Sequence, residues 1–228
     1  MNSESDWEAI ALEEIRFFGA VSAAISHEIN NRFAVINEKA GLLMDLSSMM
    51  AQGREVDPAR IETQSAKIGD QVRQAKEIVR NLNRFAHSVD ATVAEIDLPE
   101  LLHFMAALSA RRAAAVEASL TVADSREPLA VTTIPFILQA LVGRGIDIAL
   151  TKVGADRAVI LAAVKTDSAV EIRFEGLQGV AEPIDFSEAG KNVPALLVPI
   201  GARYVVAPDG SALVLQLPEK GVSYGRTR

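Results

Sequence analysis

The chain has 228 residues, 49% hydrophobic and 23% charged, which suits one large folded domain or two small ones. Its formal charge of −7 argues against a general nucleic-acid binder, because such a protein needs a basic face to displace counterions. The absence of cysteine excludes disulfides and thiolate metal sites, and His27, His87 and His103 lack the spacing of metal ligands.

The sequence contains no segment that is typical of export or membrane insertion. Its first residues lack the positive region and apolar core of a signal peptide. No apolar run approaches the ~20 residues that a membrane-spanning helix needs. We therefore expect a soluble, cytoplasmic protein with neither a membrane nor a nucleic acid as its partner.

The first predicted element is a long amphipathic helix over about residues 7–50, a stretch that contains no proline. Apolar residues recur there at intervals of three and four, which places them on one face of a helix. That stripe consists of Phe18, Val21, Ile25, Ile29, Phe33 or Arg32, Ile36, Ala40 and Leu43.

A second predicted helix runs from Pro58 to about Ser88. Asp57 is a good N-cap, and Pro58 suits the first helical position, where a missing N–H costs nothing. The apolar positions are spaced as in a heptad: Ile61, Ser65, Ile68, Val72, Ala75, Val79, Leu82 and Ala86. Two such helices form a hairpin that buries its apolar face poorly alone. Pairing of two copies into a four-helix bundle is favoured over the alternative, in which the second half of the same chain covers the hairpin.

His27 lies on the first helix, on the face opposite the apolar stripe. At about 100° per residue it is about 160° from Ile29, so it should face solvent. Asn31 follows one turn later on the same face, with Glu28 beside it. A neutral imidazole nitrogen can attack a phosphoryl group, and a neighbouring carboxylate can orient the ring. Arg32 is near enough to meet a phosphoryl group. Taken alone, a histidine on a solvated helix face needs no function.

The run Ser26-His27-Glu28-Ile29-Asn30-Asn31 resembles the H-box of two-component sensor histidine kinases. In that family the H-box lies on the first helix of a dimeric helical hairpin. The resemblance implies that His27 is the phosphoacceptor, that Glu28 is its acid/base neighbour and that Asn31 supports phosphatase activity. Arg32 stands where the family has a proline that kinks the helix.

The second half resembles the ATP-binding domain of the same family, beginning at about Ile96-Asp97-Leu98-Pro99. We expect a helix opened by Asp97 or Pro99 that reaches about Ala118, and a second helix at about Pro135–Lys152. Strands are expected at 119–123, 129–131, 158–165, 169–174, 204–206 and 212–217. The prediction is an α+β chain with a helical hairpin domain at 1–92 and, at 93–228, a small α/β sandwich whose sheet is covered by helices on one face.

The nucleotide motifs of that family are degenerate in this chain. Its asparagine box aligns with Arg144-Gly145-Ile146-Asp147-Ile148-Ala149, which puts Ile148 at the metal-binding position, where it cannot hold Mg²⁺. Its first glycine box aligns with 175–180, where Glu175 replaces the adenine-reading aspartate and Leu177 replaces a glycine. Its second glycine box has no glycine-rich counterpart in 187–194. We therefore expect no bound nucleotide, cofactor or metal.

An intact histidine hairpin before a degenerate ATPase-like domain resembles the dimeric histidine phosphotransferases. The resemblance implies transfer of phosphoryl groups between the receiver domains of response regulators, with Mg²⁺ supplied by the receiver and possible contact with a hybrid histidine kinase. Arg80 and Arg84 could meet an acidic receiver surface, although a solvated helix face is the ordinary interpretation. The alternatives are a phosphatase that uses Glu28 and Asn31, a pseudokinase that only binds a regulator or a kinase, and a weak residual kinase.

Overall fold

The computed structural model describes residues 4–124, 128–167, 169–184, 186 and 193–218. The predicted loss of the second glycine box concerns a segment of which 187–192 lie outside the described residues. The chain divides into two compact units. One is Ala20–Ala86; the other combines the segment up to Gly19 with the segment from His87 onward. The predicted domain boundary between residues 92 and 93 stays a prediction.

The helical hairpin forms as predicted from α1, Glu4–Ala51, and α2, Pro58–His87. Gly53, with φ of 75°, ends α1, and its N–H donates to the carbonyl oxygen of Met50 at 2.9 Å. Asp57 caps α2, because its Oδ1 accepts a hydrogen bond of 2.9 Å from the N–H of Ala59. The turn is therefore built by the residues that the sequence indicated.

The apolar stripe of α1 follows the predicted spacing from Val21 onward, but its predicted first member, Phe18, is 39% exposed while Phe17 is buried instead. Val21 and Ile25 are buried, and Leu46 extends the stripe beyond its predicted end. Arg32 is half-buried, whereas Phe33 is 52% exposed. The stripe therefore passes through the arginine, and the phenylalanine ring stands in solvent.

The inward row of α2 agrees with the predicted one at Ile61, Ile68, Ala75 and Leu82, but it differs by one residue at the alternate positions, and this corrects the sequence analysis. Ser65, Val72 and Val79 were expected inside but are exposed. The row that is at least half-buried contains Ile61, Gln64, Ile68, Gln71, Ala75, Ile78, Leu82 and Phe85. A heptad presents two adjacent rows, and periodicity alone does not say which of them meets the other helix of the hairpin. The second row remains open along one side of α2.

The second unit contains two sheets. Strands β1, Ala94–Asp97, and β3, Ala130–Thr133, form an antiparallel pair in which Ile96 faces Val131. A five-stranded sheet has the order β2-β4-β5-β7-β6. Its strands are β2, Ser119–Val122; β4, Ala158–Lys165; β5, Ala169–Glu175; β6, Arg203–Val206; and β7, Ala212–Pro218. The β2–β4 pair is parallel and the other three pairs are antiparallel.

The helices of this unit are α3, Leu98–Ala115, α4, Pro135–Thr151, and the short α5, Val193–Leu197, which continues into a 3₁₀ turn at Val198–Ile200. Asp97, one of the two residues expected to open α3, is its N-cap, since its Oδ1 accepts from the N–H of Glu100 at 2.8 Å. The helix ends before the expected Ala118, because the chain turns through Glu117, with φ of 54°, to enter β2. The predicted α+β class is confirmed: a helical hairpin precedes a small mixed sheet with helices.

Helix α4 forms the centre of the core of this unit. Gly145 lies so close to the ring of Phe174 on β5 that a Cβ at this position would collide with it. The first turns of α1 also belong to this unit, where the ring of Phe17 packs edge-on against Phe136 at 5.9 Å between centroids. Among the described residues, no helix is long and apolar enough to cross a membrane.

Candidate functional site

His27 lies in the middle of α1 with its side chain exposed to solvent, as the helical projection predicted. Asn31, one turn further along α1, is exposed as well, so the imidazole and the amide are accessible from the same side. Ile25, two residues before the histidine, is buried. The helix therefore holds its apolar face inward and presents His27 to solvent.

Glu28 is tied to Arg32 in an ion pair one helical turn apart. The side chains are 25% and 30% exposed respectively, so the pair is partly shielded from water. Arg32 Nη1 also donates to Gln71 Oε1 on α2 at 3.2 Å. The guanidinium thus joins the two helices of the hairpin and holds the carboxylate beside the histidine.

Gln71 is a site residue that the sequence analysis missed. It is half-buried and lies on the inward row of α2, next to Val72, which the heptad prediction had placed there instead. Glutamine carries no chemical signal by itself, and only the helix–helix register places it against Arg32. A heptad assignment that placed Gln64 and Gln71 inward, in place of Ser65 and Val72, would have identified it.

Arg80 and Arg84 lie four residues apart on α2 and are both exposed. Arg80 Nη1 donates to both carboxylate oxygens of Glu77 at 2.9 Å, one turn earlier on the same helix. An exposed pair of this kind contributes little to stability and can exchange for another carboxylate at small cost. Both positions remain predictions as partner-binding residues.

In the second unit, the residues aligned with the asparagine box form a buried ionic cluster. Arg144 of α4 contacts Glu13 Oε2 at 3.2 Å and Asp147 Oδ2 at 3.7 Å. Asp147 is also paired with Arg112 of α3, and Glu13 with Arg16. Burial raises the pKa of Asp147, and it outweighs the opposing effect of the two guanidinium groups. These side chains are thus engaged with one another.

The other side of α4 borders a cleft of about 260 Å³. Its walls are mostly apolar and include Ile148, Val180, Pro183 and Ile184, with Lys152 as the one charged side chain among the described residues that line it. Gly179, with φ of 70°, lies at the rim. Among the described residues, no three histidine or carboxylate side chains come together as a metal site would require.

The chain matches no known family profile, and no curated protein matches it. Its fold was compared with solved structures. It is similar to the Acinetobacter baumannii histidine kinase AdeS at 12% identity and a TM-score of 0.46, over 79% of this chain and 94% of that chain. It is similar to the ATP-binding domain of PrrB from Mycobacterium tuberculosis at 23% identity and a TM-score of 0.45, over 58% and 100%. It is similar to full-length ShkA in complex with AMPPNP at 15% identity and a TM-score of 0.47. This match covers 84% of this chain and 46% of that chain.

Proposed function

We propose that this protein is a histidine phosphotransferase, in which His27 carries a phosphoryl group between the aspartates of two receiver domains. The observation that carries the proposal is the exposed His27 on α1, flanked by the Glu28–Arg32 ion pair and followed one turn later by exposed Asn31. The motif resemblance supplies the chemistry that these residues would perform.

The transfer step needs little from this chain beyond an oriented nucleophile. A neutral ring nitrogen of His27 attacks the phosphorus of a receiver's aspartyl phosphate; a P–N bond forms, the acyl P–O bond breaks and the aspartate leaves as a carboxylate. Attack by the aspartate of a second receiver reverses the step. Phosphoryl transfer depends mostly on positioning and charge stabilisation, which a receiver with its own Mg²⁺ supplies when it docks on α1.

We further propose that the chain works without ATP. The described side chains near its 260 Å³ cleft do not suit a magnesium nucleotide, because Ile148 offers no oxygen ligand. Arg144 and Asp147, which could have met phosphates or a metal, are engaged in the ionic cluster with Glu13 and Arg112. The second unit is then a docking surface.

Pairing of two copies through the hairpin is part of the same proposal. Val72 and Val79 are 39% and 42% exposed and lie one heptad apart on the open side of α2. Burying such a row against a second hairpin would complete a four-helix core. Light scattering should then give twice the mass of one chain, and Val72→Asp with Val79→Asp should give single chains.

The decisive test is transfer of radiolabelled phosphate from pre-phosphorylated receiver domains to this chain, with no ATP present. We expect label on the wild type and none on His27→Gln. The matched control is His87→Gln, which alters another exposed histidine and should keep the label. Absence of label on the wild type across a full receiver panel would refute the phosphotransferase.

A phosphatase is the second candidate, and the exposure of Asn31 one turn from His27 favours it. An amide there can position a water molecule for hydrolysis of the receiver's acyl phosphate. In the same assay, receivers would lose phosphate while this chain stays unlabelled, and Asn31→Ala would stop that loss. A chain that binds receivers with neither outcome would be a pseudokinase-type regulator.

A further inference from the structure

A second concave site lies in the unit that holds the sheet. It is an apolar cleft of about 540 Å³, within the range of about 300–1,000 Å³ that is usual for small-molecule sites. The first turns of α1, the segment that follows α2 and the start of α4 enclose it. Its principal apolar walls are Ile10, Ile15, Phe18, Val89, Phe136 and Ile137.

Among the described residues that line this cleft, Glu14 is the one ionisable side chain. It is half-buried, and burial raises the pKa of its carboxyl. Its neighbour Glu13 is paired with Arg16 and Arg144, but Glu14 makes no ion pair or hydrogen bond with any residue that the structure describes. A carboxylate held in an apolar wall without a cation is unfavourable until one arrives.

Two aromatic rings share the cleft with this carboxylate. The centroids of Phe18 and Phe136 are 6.5 Å apart, with the rings tilted by 43°. The face of an aromatic ring attracts an organic cation, and the attraction grows when water is excluded. A carboxylate, two phenyl rings and aliphatic walls together suit a ligand with an apolar body and a positive end.

We propose that this cleft binds a small apolar molecule that carries a single ammonium group. The ammonium would pair with the carboxylate of Glu14, and the apolar body would lie among Phe18, Phe136 and Ile137. The proposal is independent of phosphoryl transfer, because the lining residues of the cleft lie outside the unit that contains His27.

Calorimetric titration of the full chain with three probes of one shape tests the charge requirement. Phenylbutylamine, phenylbutanol and phenylpentanoate share the same phenylbutyl body and differ in the end group. We expect the amine to bind about tenfold more tightly than the alcohol, because its ammonium pairs with the carboxylate of Glu14. A tenfold change in affinity corresponds to about 1.4 kcal/mol. The carboxylate probe should not bind, because it carries the same charge as Glu14. Equal affinity for the three probes, or no binding of the amine, would overturn the proposal.

Two variants locate the site. Glu14→Gln should lower amine affinity to that of the alcohol, whereas Glu8→Gln, an exposed carboxylate on the same helix, should leave it unchanged. Ala11→Phe should fill the cleft and remove binding of amine and alcohol alike; Ala11 is exposed, so the larger side chain leaves the core intact. Unchanged amine binding in Glu14→Gln would refute the assignment. An affinity for the amine that falls as the protein concentration rises would also refute the assignment, because a second copy of the chain would then be covering the cleft.

Discussion

Helices α2 and α4 both carry apolar residues along their whole length, yet they differ greatly in how much of each is covered. Fourteen of the seventeen residues of α4 are buried, because sheet and helices surround it on nearly every side. Of the thirty residues of α2, Ala75 and Phe85 are buried. The core around α4 is therefore complete within one chain, whereas the hairpin leaves an apolar row uncovered. A substitution in α4 therefore tests a closed core, and one in the hairpin tests a helix pair that is partly open to solvent.

The largest loss of stability should come from breaking the ionic cluster on α4. In Glu13→Ala, a fully buried carboxylate disappears and Arg144 keeps its charge in a site where it is only 14% exposed. Because Asp147 remains at 3.7 Å as a partner of Arg144, we expect a loss of about 3 kcal/mol in the free energy of unfolding, the lower end for a broken buried ion pair, measured by urea denaturation. Arg16→Ala removes the exposed partner of the same carboxylate and should cost less than about 1 kcal/mol. Similar losses of unfolding free energy in the two variants would contradict the conclusion that Glu13 and Arg144 lie in a core closed to water.

A pair of glycine substitutions compares the two regions directly. Gly145→Ala on α4 should destabilise the protein by about 1–3 kcal/mol, because the new methyl group meets the ring of Phe174. Gly41→Ala on α1 should stabilise it by about 0.5–1 kcal/mol, since nothing lies within 4 Å of the added Cβ. Thermal unfolding of both variants measures this difference, and a shift of the same sign in both would refute it.

The link between the hairpin helices should contribute less. Gln71→Leu removes the acceptor of Arg32 Nη1, and we expect a loss of about 1 kcal/mol together with slower phosphoryl transfer to His27. Gln71→Glu keeps an acceptor oxygen and should restore both. Gln74→Leu, at an exposed position one turn later, is the matched control and should have little effect. Equal behaviour of the leucine variants would show that Arg32 does not need Gln71.

The smallest effect depends on pH and concerns Glu14. Since burial raises the pKa of its carboxyl above the unfolded value, the ionised form destabilises the fold at neutral pH, and no penalty remains once both states are protonated. Glu14→Gln should therefore raise Tm slightly at neutral pH, by less than about 1 kcal/mol of stability because the group is partly solvated, and the gain should vanish below about pH 4. A gain that persists in acid would contradict this cause.

The sequence predicted the elements that its periodicity encodes, namely both long helices, their turn and most strands of the sheet. It missed β1, because four residues beginning at Ala94 become a strand only through pairing with β3. It also missed Gln71. Heptad spacing identifies the apolar rows of α2. Which of two adjacent rows is buried depends on the position of α1, and the local sequence of α2 does not encode that position.

The turn between α1 and α2 is exposed from Gln52 to Glu55, and the chain has no cysteine. A single Gln52→Cys substitution would therefore give the molecule its one thiol, at a loop tip where modification is usually tolerated. A nitroxide attached there would have a second nitroxide to couple with only when two molecules associate. Its dipolar spectrum would thus measure the distance between hairpin tips without disturbing the histidine, the cleft or the core.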